Sequence, residues 1–144
     1  MTNVERVLDL FRGDLNCSQA ILTVFGEPFG MDRETARRLG RPFGAGMGRM
    51  AGTCGALTGA MMVLGLARDQ ADEKEAKNDV YRYVRELVKR FEERHTTSVC
   101  RELLGADLST EKGMEKARKE KLVARLCPTY VKDAAKILET MLSR

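Results

Sequence analysis

Tryptophan is absent from the 144-residue chain, and histidine occurs once, at position 95. One histidine excludes metal sites built on several imidazoles and leaves only a Cys–His pair to consider. Its neighbours Glu93, Arg94 and Thr96 favour a surface position for it. No two cysteines have C-x-x-C spacing, which excludes the common zinc modules. The glycine-rich stretch near residue 44 has no strand pattern before it and no Gly-Lys-Ser/Thr after it, so nucleotide binding is not expected. The longest uncharged run, Met50 to Ala67, carries four glycines and falls short of the ~20 residues that cross a bilayer. Glu5, Arg6, Asp9, Arg12 and Asp14 interrupt any apolar opening segment, so a secretory leader is not expected and a cytoplasmic location is. The Arg37-Arg38 pair lies well inside the chain and reads as an exposed helix face. Internal repeats, low-complexity tracts and alternation long enough for a sheet are missing too.

Charge of one sign is also scarce. The net charge of +4 comes from 25 basic and 21 acidic residues, interleaved along the chain, which gives no call for nucleic-acid binding. The residues that dominate are Ala, Leu, Met, Glu, Lys and Arg, which favour helix. The expectation is one all-α domain over residues 1–144, a compact bundle of about six to eight helices around a central apolar one. Its oligomeric state is left open.

Periodicity and caps place the helices. Asn3 caps a short amphipathic helix that stops at Gly13, and Asn16 with Gln19 forms a capping box for a second helix whose first residue is Cys17. Gly26, Pro28 and Gly30 end it, and Asp32 caps a polar helix that closes at Gly40-Arg41-Pro42. A long helix with Val80, Tyr83, Val84, Leu87, Val88 and Phe91 on one face is expected to run to about Arg94. Thr97 or Ser98 caps a short one from Val99 to Leu104. Ser109 to Arg125 reads as a solvated helix, and Cys127-Pro128 as the cap and first residue of the last.

The central stretch runs from Phe43 to Gly65. Glycines at 44, 46, 48 and 52 exclude a stable helix or strand in its first half, and the second half is apolar almost all round. Thr53 is a plausible N-cap, which puts Cys54 in the first turn among unpaired N–H groups. There a thiol can ionise well below its ordinary pKa of roughly 8.5. Gly55 and Gly59 share the face that follows Cys54, and each costs roughly 1 kcal/mol against alanine, which points to a close neighbour or bound group.

The four cysteines, 17, 54, 100 and 127, all fall at expected helix starts. That placement suits thiolates acting as metal or cluster ligands or as nucleophiles, and a joint site requires the fold to bring distant helix ends together. Four independently buried thiols are the plain alternative.

Asn16-Cys17, the sextet Cys54-Gly55-Ala56-Leu57-Thr58-Gly59, and then Cys100 and Cys127 resemble the bacterial and archaeal redox-active family named C_GCAxxG_C_C, over nearly the whole chain. The resemblance implies four invariant-type cysteines, association with oxidoreductase or transporter genes, and a prosthetic group such as an iron–sulfur cluster. Some relatives carry a twin-arginine export signal, which this chain does not show at its start.

Two mechanisms follow. In one, Cys17, Cys54, Cys100 and Cys127 hold a metal or iron–sulfur centre, with Gly55 and Gly59 on the same face and N–H groups of the glycine loop hydrogen-bonded to sulfur. In the other, Cys54 and Cys17 are the catalytic pair of a thiol–disulfide exchange. The rival from another class is a helical adaptor for an oxidoreductase or transporter partner, its cysteines structural.

Overall fold

The computed structural model describes residues 1–144 and is all-α. Its helices are α1 (Asn3–Arg12), α2 (Cys17–Gly26), α3 (Arg33–Gly40), α4 (Gly55–Ala67), α5 (Glu73–His95), α6 (Cys100–Leu104), α7 (Glu111–Lys119) and α8 (Leu122–Leu142). Short 3-10 turns at Glu27–Phe29 and Arg41–Phe43 carry Pro28 and Pro42 in their opening positions.

Side-chain caps start most of these helices. Thr2, one residue ahead of the expected Asn3, caps α1: its hydroxyl accepts the Glu5 N–H at 3.1 Å and the Glu5 carboxylate accepts the Thr2 N–H at 2.7 Å. Asn16 and Gln19 make the reciprocal pair at the head of α2, both at 2.8 Å. Gln19 also donates to the Arg37 carbonyl and Asn16 to that of Arg41, so the same two side chains fasten α2 to the end of α3. Asp32, Asp72 and Thr110 cap α3, α5 and α7.

As its composition requires, α4 is the central helix: Ala56, Leu57, Ala60, Val63 and Leu64 are wholly buried among α2, α5 and α8. It crosses α2 at backbone distance. A Cβ built on Gly59 would lie 2.8 Å from the Ser18 carbonyl oxygen and 3.0 Å from its Cα, so only glycine admits this crossing. Asp79, buried on α5, ties that helix to the end of α4 through Arg68 at 2.7 Å and to Arg82 at 3.0 Å.

Two expectations about the C-terminal third are corrected. The solvated helix expected over 109–125 is broken: α7 ends at Lys119, and Lys121 turns the chain in the left-handed region, φ 54° and ψ 42°. Cys127 and Pro128 therefore lie inside α8, in its second turn, and do not begin it. Proline there leaves the Ala124 carbonyl without its helical donor, which is tolerable because Ala124 is exposed to water.

The apolar side chains form two clusters. The larger joins α1, α2, α4, α5 and α8 and includes Cys54, with Cys17 packed against it. The smaller gathers Ala51, Leu104, Ala106, Leu108, Ala117 and Leu122 and includes Cys100, with Cys127 packed against it.

Candidate functional site

The seam between these clusters is a cavity of about 790 Å³, and all four cysteines line it. Each cluster contributes two. All four are free thiols, Cys54 and Cys100 buried and Cys17 and Cys127 half-buried.

Three of the four stand at helix starts. Cys17 is the first residue of α2, Cys100 the first of α6, and Cys54 is itself the N-cap of α4, so the expected Thr53 cap is displaced by one residue. The cause is backbone pairing that periodicity does not reveal. Thr53 and Val99 form an isolated antiparallel bridge, with the Cys54 N–H donating to the Ser98 carbonyl at 2.9 Å and the Cys100 N–H to Gly52 at 2.6 Å. Thr53 is thus extended rather than capping, and the bridge brings Cys54 and Cys100 to one side of the cavity. Cys127 reaches it from the second turn of α8.

Joined to the bridge through Ala51 and Gly52 is a segment of unusual backbone. Ala45, Gly46, Met47, Gly48 and Arg49 all have positive φ, between 55° and 68°, and the Gly48 N–H closes onto the Gly44 carbonyl at 2.9 Å. This is one left-handed helical turn. For a residue with a Cβ that hand costs about 1–2 kcal/mol, and Ala45, Met47 and Arg49 all bear it. Further bonds hold the turn in place, from Ala51 N–H to Ala45 and from Gly52 N–H to Gly46. Backbone strain so firmly held is characteristic of functional sites.

The turn has a direct bearing on Cys17. Backbone N–H groups of Ala45, Ser18, Cys17 itself and Gly55 lie near its sulfur and favour its ionised form. Gly55 is pressed so closely against it that a Cβ there would overlap Cys17 Sγ and would come within 2.8 Å of the Phe43 carbonyl. Gly55 therefore belongs to the site, whereas Gly59 serves the α2–α4 crossing.

The thiols are not thiolates as they stand. Burial pushes Cys17 up despite the nearby backbone N–H groups, and pushes Cys54 far up, with the nearby Cys17 adding to it. Burial and Cys17 raise Cys100 to about 11 and Cys127 to about 12. The depressed pKa expected for Cys54 from its helix start is thus reversed, because desolvation of a buried sulfur outweighs the helix end. Neighbouring cysteines add to the rise at Cys54, Cys100 and Cys127.

No group of three or more His, Cys, Asp or Glu side chains is arranged to hold a metal ion as it stands. The four sulfurs surround a space and do not close on a point. What they share is the cavity wall, which places four soft sulfur donors on one space.

His95 is also corrected. Its side chain is only 14% exposed, its Nε2 lies 2.7 Å from Asp133 Oδ2, and its ring meets Phe91 and Tyr130 at centroid distances of 4.7 and 5.0 Å. Tyr130 lines the cavity, and its hydroxyl donates to the Leu103 carbonyl at 2.8 Å. Its place three residues after Cys127 puts the two on one face of α8.

With this geometry the comparisons with known proteins agree. A family model described as "Putative redox-active protein (C_GCAxxG_C_C)" matches residues 15–141. The chain belongs to this family. Neither a curated protein nor a solved structure matches it significantly. In this member of the C_GCAxxG_C_C family the named sextet runs from the N-cap thiol Cys54, through the close-contact Gly55, to the helix-crossing Gly59. No helix is long and apolar enough to cross a membrane.

Proposed function

We propose that the protein is a redox carrier whose four cysteines together ligate one thiolate-bound metal centre, an iron–sulfur cluster by the chemistry of the donor set. The observation that carries this reading is the placement of four mutually interacting thiols, two from each apolar cluster, around one cavity. Such a group supplies one-electron transfer when bound.

The chain's own residues support that role. Cys17, Cys54, Cys100 and Cys127 would be the ligands, each giving up its proton to the solution as the cation replaces it. N–H groups of Ala45, Ser18 and Gly55 would hold the negative charge that then resides on Cys17 sulfur. The apolar walls limit water and keep the local dielectric low. Raised thiol pKa values fit ligands that ionise only against a cation, and they oppose a resting nucleophile, which needs an exposed thiolate. A reducing, cytoplasmic setting keeps such thiols free, and an oxidoreductase is the natural electron partner.

The test is purification without oxygen, or reconstitution with ferrous iron and sulfide, followed by iron and sulfide analysis and a visible spectrum. The expected result is stoichiometric iron with sulfide-to-iron charge-transfer absorption. A colourless protein that takes up no metal and cycles a Cys54–Cys17 disulfide with a dithiol reductant would replace this reading with thiol–disulfide exchange.

A further inference from the structure

The cavity is larger than its cysteine end. Beyond the sulfurs, its walls continue over Phe11, Leu104, Leu108, Met114, Val123 and Val131. Its lining also includes the cations Arg12, Arg49, Arg118 and Lys121 against a single carboxylate, Asp14. The four cations are exposed, and none makes an ion pair.

Two of them stand where a charged side chain is least expected. Arg49, at φ 66°, ends the left-handed turn, and Lys121, at φ 54°, makes the break between α7 and α8. At such positions glycine carries no steric penalty and is the usual residue. Both instead bring a cation to the cavity. Apolar walls with an excess of positive charge among their lining residues suit a molecule that has an apolar body and an anionic head.

We propose that this cavity binds a small amphipathic anion, an aromatic or aliphatic carboxylate, sulfonate or phosphate, with its apolar body between α1, α7 and α8 and its charge toward Arg49, Arg118 and Lys121. The site stands whether or not the thiols hold a metal centre.

The probe is anilinonaphthalene sulfonate, read by fluorescence against the uncharged phenylnaphthylamine of similar shape, on the folded full-length chain. The expected result is saturable binding of the sulfonate that weakens with added salt, while the neutral dye is indifferent to salt. R49E combined with R118E weakens the sulfonate about tenfold or more and leaves the neutral dye nearly unchanged. Ala124→Trp, which fills the mouth from an exposed position, removes both dyes. Equal affinity for the two dyes, or sulfonate binding insensitive to salt, overturns the proposal without any variant. So does sulfonate binding that survives Ala124→Trp, or a dimer in sedimentation that covers the mouth and excludes the dye. The rim cations would then serve only to offset charge on the sulfurs.

Discussion

In the larger apolar cluster Leu57, Leu64, Leu87 and Phe91 are wholly buried on the regular helices α4 and α5. The smaller cluster is built from Ala51, Ala106, Ala117 and three leucines around a left-handed turn, a five-residue helix and a left-handed break. Only Ala51 among its members is fully buried. One region is a core in the ordinary sense, with large side chains and little strain. The other spends its backbone conformation on shape, and its far wall is the cavity. The contrast is one of large buried side chains on one side of the cavity and small ones with unusual backbone on the other. The cysteines, two on each side, join them.

The largest expected effect comes from the core side. Leu64→Ala would remove a wholly buried side chain beside other large ones and is expected to cost about 3–4 kcal/mol, unfolding both regions together in a denaturant titration. Leu104→Ala, whose side chain already faces the cavity, is expected to cost about half as much. Equal losses would mean that the two regions are one core.

Next are the two glycines of the family motif. Gly59→Ala drives a methyl into the Ser18 backbone and is expected to cost about 1–3 kcal/mol, seen as a lower melting temperature of the metal-free protein. Gly55→Ala meets the Cys17 sulfur as well as the Phe43 carbonyl, so it is expected to lower the melting temperature at least as much and, unlike Gly59→Ala, to impair metal retention. A Gly59→Ala protein that is more stable than the parent, or a Gly55→Ala protein that binds metal normally, would undo this division of roles.

A smaller effect follows from the thiols. Their pKa values are higher in the fold than in an unfolded chain, so the fold holds more protons in alkaline solution. The stability this contributes is fully present below the ordinary thiol range and is lost as pH rises from about 9 toward 11 and 12. The metal-free protein should therefore melt lower with rising pH across that window. Replacement of Cys100 and Cys127 by serine should flatten the dependence. With metal bound the sense changes: protons compete for the sulfurs, and retention should weaken as pH falls.

Much of the larger region is legible in the sequence, because caps and periodicity are local. Asn16 with Gln19, Asp32, and the apolar stripe of α5 lead to the observed helices within a residue or two. The smaller region is less so, for a physical reason in each case. Pro128 is a favoured helix-start residue and reads as one, but Lys121 sets the start by adopting a left-handed conformation that lysine seldom takes. The glycines at 44, 46 and 48 announce irregular backbone. They do not announce that Ala45, Met47 and Arg49 follow the same hand. The bridge of Thr53 to Val99 is a contact between distant segments, and single-sequence patterns carry no such information. For the candidate site, the sequence singles out Cys54 and Gly55, and both line the cavity. The ionisation expected of Cys54 was reversed because burial, a property of the whole fold, dominates the helix end.

The central claim is that the two regions share one ligand through two cysteines each. It is tested most directly by iron and sulfide content, with the visible spectrum, of anaerobically reconstituted Cys54→Ser and Cys127→Ser beside the parent. Loss or marked lability of the centre in both variants is the predicted result, since each removes one ligand from a different side. A centre retained with full stoichiometry and an unchanged spectrum in Cys127→Ser would contradict the claim.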